Sequence, residues 1–177
     1  MNTNIIGLIG ELQACNIMDK SKANICLKYI SNFPVRDDRN QFFQVDTIVI
    51  CTKGVFCVEV KNWEATVYCG SQYFWTVVYK SGEKTVKSPM AQNAQHCRKV
   101  SAVFKRDVHS IVLFTDSAVL RDPLSNDMYI VDFIPYLADL PDVLTSEEVE
   151  NIYNEFIKYK QSMETAMLVD FIFKNLI

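Results

Sequence analysis

Asp46, Glu59 and Lys61 are the residues whose types and spacing could do chemistry. Two carboxylates gathered at one point can hold a hard divalent cation through oxygen, and that cation can polarise a phosphate and acidify a water. An amine beside them can hold the water and offset charge that develops in the transition state. Such a set would hydrolyse a phosphodiester. The bland alternative is a strand-surface ion pair between Glu59 and Lys61, worth under about 1 kcal/mol, with Asp46 at an exposed strand end.

Position separates the two readings. Gln44–Cys51 and Val55–Lys61 read as strands around a turn at Lys53-Gly54. With those two residues as the loop of a hairpin, Thr52 faces Val55, Ile48 faces Glu59 and Asp46 faces Lys61. Side chains alternate along a strand, so Asp46, Glu59 and Lys61 share one face at the open end of the hairpin. The opposite face is Val45, Thr47, Val49, Cys51, Phe56, Val58 and Val60. A slip of one residue would turn Asp46 onto that apolar face at a large desolvation cost.

Other elements frame the hairpin. Ile5, Leu8, Leu12 and Cys15 recur at helical spacing and predict an amphipathic first helix with that stripe buried. Glu11 lies at the edge of the stripe, where a helix packed on the sheet could aim it at Asp46. Residues 24–30 read as a strand and 31–40 as a polar loop, with a further strand pair near Thr66–Cys69 and Phe74–Tyr79. Ser88-Pro89 opens a helix with an N-cap residue and Pro at the first position, and Met90, Ala94, Cys97, Ser101 and Phe104 form its expected buried stripe. On that helix Gln92 and His96 stand one turn apart on one face. His109–Phe114 and Tyr129–Phe133 read as strands. Thr145 and Glu148 form a capping box for a helix to about Tyr159, and a last helix covers about Met163–Lys174. Helices and strands in this order describe an α/β or α+β sandwich, a single domain over residues 1–177.

Composition narrows the class. The chain has 177 residues, 49% hydrophobic and 22% charged, which excludes a disordered or fibrous protein and is enough to bury a core without staples. Every apolar stretch is broken by charge too early to span a membrane. The N-terminus has no basic lead and meets Glu11 early, unlike a secretory signal. Six cysteines occur without any CxxC spacing, so reduced thiols in the cytoplasm, with no structural zinc, are the expectation. Net charge is −3. Residues 80–106 nevertheless carry +6, including Lys84, Lys87 and Arg98, and residues 107–177 carry −9. The basic segment is either a phosphate-facing patch or a solvated face paired with the acidic third.

The residues also carry a resemblance. Gly7-x-x-Gly10-Glu11, Gln44-Val45-Asp46, Gly54-Val55-Phe56, the run Val58 to Trp63, Trp75 and Pro89-x-x-Gln92-x-x-x-His96 stand in the order found in the nuclease-related domain (NERD) family. That family is a branch of the PD-(D/E)xK nuclease superfamily. Departures are Val45 where Ile is usual, Ala65 where Gly is common, and Ser88 where Asn usually precedes the Pro. The resemblance implies a restriction-endonuclease-like core, a mixed central β-sheet flanked by helices. It implies a motif-bearing core over residues 7–115, with the C-terminal strand and helices at 129–177.

By position the resemblance makes Asp46, Glu59 and Lys61 the catalytic triad, with Asp46, Glu59 and Glu11 around Mg²⁺ or Mn²⁺. Gln92 then touches the active site and His96 the phosphate backbone, while Lys84, Lys87 and Arg98 line the approach. The expected function is hydrolysis of DNA, with RNA the less favoured substrate. A nuclease fold without turnover, binding nucleic acid or a protein, is the alternative from a different class. Oligomeric state stays open, a homodimer included. Trp63 and Trp75 are expected as sheet aromatics rather than base-stacking groups, His109 as structural, and Pro141-Asp142 as a chance match to the superfamily's PD.

Overall fold

The computed structural model describes residues 3–21, 25–36, 41–69, 73–123 and 126–176. The chain opens with helix α1 (Thr3–Ser21) and runs through strands β1 (Lys28–Arg36), β2 (Phe42–Cys51) and β3 (Gly54–Lys61). Strands β4 (Ala65–Tyr68), β5 (Phe74–Tyr79) and β6 (Gly82–Lys87) lead to helix α2 (Pro89–Phe104). Then come β7 (His109–Phe114), β8 (Val119–Arg121), β9 (Asp127–Tyr129), a 3₁₀ turn (Ile130–Asp132), α3 (Phe133–Asp139) and α4 (Ser146–Leu176).

The strands form two mixed sheets, ordered β1-β2-β3-β7-β9 and β6-β5-β4-β8. β3 sits centrally in the first, antiparallel to β2 and parallel to β7. Both its faces are buried, which explains its nearly continuous apolar sequence. Val49, Phe56, Val58 and Val60 pack beneath α1 and α3. Ile48, Ile50, Val55 and Cys57 pack beneath α2 and α4 with Cys97, Val100, Phe104 and Phe156. The second sheet packs Val67, Trp75 and Val77 onto Val112 and Phe114. The result is an α+β fold, as expected. No helix among the described residues is long and apolar enough to cross a membrane. All six cysteines are free thiols.

Several local expectations are corrected. The buried face of α1 is Gly10, Ala14 and Met18, while Ile5, Leu8 and Leu12 are more than half exposed. Small residues let this helix approach closely: a Cβ on Gly10 would lie 2.9 Å from Asn62 Cβ. β1 continues through residues expected as loop, and Pro34 is tolerated because β1 is an edge strand. Asn24 and residues 37–40 of those two expectations lie outside the described residues. β6, not foreseen, is almost wholly polar and is held by its ladder to β5. The expected strand Tyr129–Phe133 ends at Tyr129, and α3 follows with Pro135 in its first turn, where no intrahelical N–H is needed. The two expected C-terminal helices are one, because no Gly or Pro interrupts residues 146–176. The caps are as read: at the N-cap Ser88 Oγ accepts from the Ala91 N–H, and in the capping box Thr145 and Glu148 bond reciprocally.

Candidate active site

The β2–β3 hairpin turns one residue earlier than expected, through Thr52-Lys53. Cys51 faces Gly54, whose φ of +127° suits glycine, and the ladder ends at Thr47 and Val58. The register is therefore offset by two residues, so Lys61 is not opposite Asp46. Alternation breaks at Asp46, since Val45, expected on the opposite face, packs with Ile48 and Ile50, but Asp46 still meets Glu59 and Lys61 at the cleft. Beyond Thr47 the strands part. The Val60 N–H, left without a ladder partner, donates to Asp46 Oδ2 at 3.0 Å.

Glu59 lies beneath this opening, only 2% exposed. Its Oε1 accepts from Lys61 Nζ and, at 3.1 Å, from Gln92 Nε2 on α2. Its Oε2 is buried with no hydrogen-bond partner, and His96 Nδ1 stands 3.8 Å away, also unbonded. Burial, then the Glu59 charge, raises the pKa of Asp46 against the opposing pull of the Val60 N–H and Lys61. Burial and the Asp46 charge likewise raise Glu11. Burial lowers His96, with Lys99, Lys61 and Lys87 adding to the effect and Asp46 resisting it, so the imidazole is neutral at neutral pH.

These groups line a cleft of about 780 Å³ bounded by α1 on one side and the β5–β6 turn on the other. The structure brings Glu11, Asp46, Glu59 and Lys61 to its wall, with Gln92 and His96 behind Glu59. Lys87 acts on His96 from the end of β6. Lys84 and Arg98 are exposed and do not line the cleft. Trp75 is a buried sheet aromatic as read, whereas Trp63 lies in the β3–β4 connection, packs edge-on against Phe114 and lines the cleft. His109 packs on Phe56. Asp142 pairs with Lys53 at the hairpin turn, far along β2 and β3 from Asp46.

Two positioning residues were not foreseen. Asn62 Nδ2 donates to the Ile6 carbonyl at 2.7 Å, while its Oδ1 accepts from Thr115 Oγ1 at 2.8 Å, which ties α1 to the end of β3 and to β7. Asn93, buried between Gln92 and Cys97, donates to the carbonyls of Cys57 at 2.8 Å and Ile111 at 3.0 Å. A polar residue one turn before Cys97, on the buried face of α2, was the available signal for Asn93.

A family model for the nuclease-related domain matches residues 6–115, which include every residue lining the cleft except Ser117. The chain belongs to the NERD family. It is also 27% identical over 139 residues to an uncharacterised protein of Bacillus anthracis, across 73% of this chain and 65% of that one. The chain thus spans less than two thirds of the length of the curated relative it matches. No solved structure matches it.

Proposed function

We propose that this NERD protein is a metal-dependent nuclease that hydrolyses phosphodiester bonds, DNA in preference to RNA. The observation that carries this reading is the buried Glu59 carboxylate, bonded by Lys61 and Gln92 through one oxygen and orphaned at the other. An unsatisfied anionic oxygen in the interior costs several kcal/mol on the order-of-magnitude scale unless something cationic meets it. Hard carboxylate oxygens from Glu59 and Asp46 suit Mg²⁺ or Mn²⁺, with Glu11 contributing from α1. Among the described residues no group of three Asp, Glu, His or Cys side chains is placed to hold an ion together. Asp46 and Glu59 would therefore be its direct ligands, with Glu11 acting through water and with water and phosphate oxygens completing the shell. When bound, the ion supplies a polarised phosphate and an acidified water.

The chain's own groups do the rest. Lys61 holds the water and offsets charge growing on the phosphate. Gln92 keeps Glu59 oriented toward the cleft. Neutral His96 donates a hydrogen bond to the phosphate backbone, and Lys84, Lys87 and Arg98 draw the polymer in. A second reading, a binding module without turnover, is favoured by the Lys61–Glu59 ion pair, which satisfies two of the groups internally. Incubation with plasmid, linear DNA and RNA, with and without Mg²⁺ or Mn²⁺, separates the two: cation-dependent cleavage supports the nuclease, and binding without cleavage supports the module.

A further inference from the structure

The second sheet buries one face and opens the other. Val67, Trp75 and Val77 point inward, so alternation turns Tyr68, Phe74 and Thr76 outward. Tyr68 is 47% and Phe74 62% exposed. The register makes these rings a pair. Tyr68 lies opposite Thr76, so Phe74 is its diagonal neighbour at roughly 7–8 Å. Each ring also has an exposed cation as its direct cross-strand partner, Arg121 opposite Tyr68 and Lys87 opposite Phe74. Glu83 shares this face but sits at the other end of β6 from Lys87.

The platform is separate from the cleft: Tyr79, Lys80 and Ser81 line the cleft at the β5–β6 turn, whereas Phe74 and Lys87 lie at the other end of these strands, on the outward face. Paired aromatic faces flanked by cations match an unpaired strand, whose bases expose their π-faces beside each phosphate. A duplex hides those faces in its stack and would engage the cations alone. We propose that this face binds single-stranded nucleic acid, Tyr68 and Phe74 each stacking on a base while Arg121 and Lys87 take flanking phosphates.

The test is fluorescence anisotropy in EDTA, where no cleavage intrudes, with a labelled oligothymidylate and a labelled hairpin duplex. Wild type should bind the strand more tightly than the duplex. Tyr68→Ala with Phe74→Ala should weaken strand binding at least about tenfold and leave duplex binding unchanged, whereas Tyr68→Phe should retain affinity because the ring remains. The single alanine variants carry the same test should the double variant misfold. Arg121→Gln with Lys87→Gln should reduce the slope of log affinity against log salt by about 1.4. The proposal is overturned if the folded alanine variants bind the strand like wild type, or if wild type prefers the duplex. Strand binding without cleavage in Mn²⁺ would instead remove the nuclease reading and leave the platform standing.

Discussion

The backbone N–H of Val60 donates to the Asp46 carboxylate at 3.0 Å, just beyond the last β2–β3 pair. One bond thus ends the ladder and fixes a cleft carboxylate. It does not fully compensate the charge, because burial and Glu59 still raise the pKa of Asp46.

The sign of the resulting pH dependence follows. A carboxyl whose folded pKa lies above its unfolded value of about 3.9 binds its proton more tightly when folded. Its contribution is greatest below the unfolded value and is lost as pH rises through the folded one. Ionised Asp46 therefore costs stability at neutral pH. Asp46→Asn keeps an oxygen for the Val60 N–H and removes the repulsion, so the metal-free variant should melt about 2–4 °C above wild type at pH 7. The gain should vanish at pH 3. An equal gain at both values would mean that the charge is not responsible.

Lys61→Ala should act in the opposite direction. It leaves Glu59, 2% exposed, with Gln92 as its remaining bonded partner. Removing one member of a buried pair costs about 3–5 kcal/mol. Half-buried Lys61 should place the loss at or below the lower end. Mn²⁺ should recover much of it by meeting the same carboxylate, while Asp46→Asn should show no Mn²⁺ shift. Cleavage by Lys61→Ala should nonetheless fall on the order of 10²–10³-fold. Melts with and without Mn²⁺, set beside a cleavage assay, test both halves, and undiminished cleavage removes Lys61 from the mechanism.

Asn93 should prove a stability residue with a catalytic side effect. Asn93→Ala strips the carbonyls of Cys57 and Ile111 of a donor in the interior, a loss of about 1–3 kcal/mol. α2 then loses its tie to β3 and β7, and Gln92 is carried with it. Denaturant unfolding should show the loss, and cleavage by the still-folded fraction should fall as well. A variant with wild-type stability would show that these bonds are replaced by water.

The legible and illegible parts of the sequence differ for physical reasons. Alternation in β2 and β3 predicts that Asp46, Glu59 and Lys61 meet, and they line one cleft, although the turn is shifted and alternation breaks at Asp46, where Val45 joins Ile48 and Ile50. Caps at Ser88 and Thr145 were readable because their bonds are local. α1 was not. Its buried contacts use Gly10 and Ala14, whose small size invites another backbone, whereas apolar periodicity points to Ile5, Leu8 and Leu12. β6 carries no apolar signal, and its place depends on β5. Asn62 and Asn93 bond to partners distant in sequence, which no spacing reveals.

The two glycines of α1 separate packing from helix propensity. A methyl group at position 10 would meet Asn62 Cβ at 2.9 Å and Val60 Cγ1 at 3.4 Å, while one at position 7 meets nothing within 4 Å. Both positions otherwise gain from alanine, by up to about 1 kcal/mol, because Gly loses more backbone freedom in a helix. At Gly7 that gain should appear as a raised melting temperature. At Gly10 it should be outweighed by overpacking of about 1–3 kcal/mol. Asn62 follows directly on β3 and is held by Thr115 after β7, so α1 is the element that yields, and Glu11 moves with it away from Asp46. Gly10→Ala should therefore lower both stability and cleavage, and Gly7→Ala should raise stability. Thermal melts of the two variants beside wild type decide the point. If Gly10→Ala melts at or above wild type, close approach of α1 to Asn62 is not what holds this wall of the cleft.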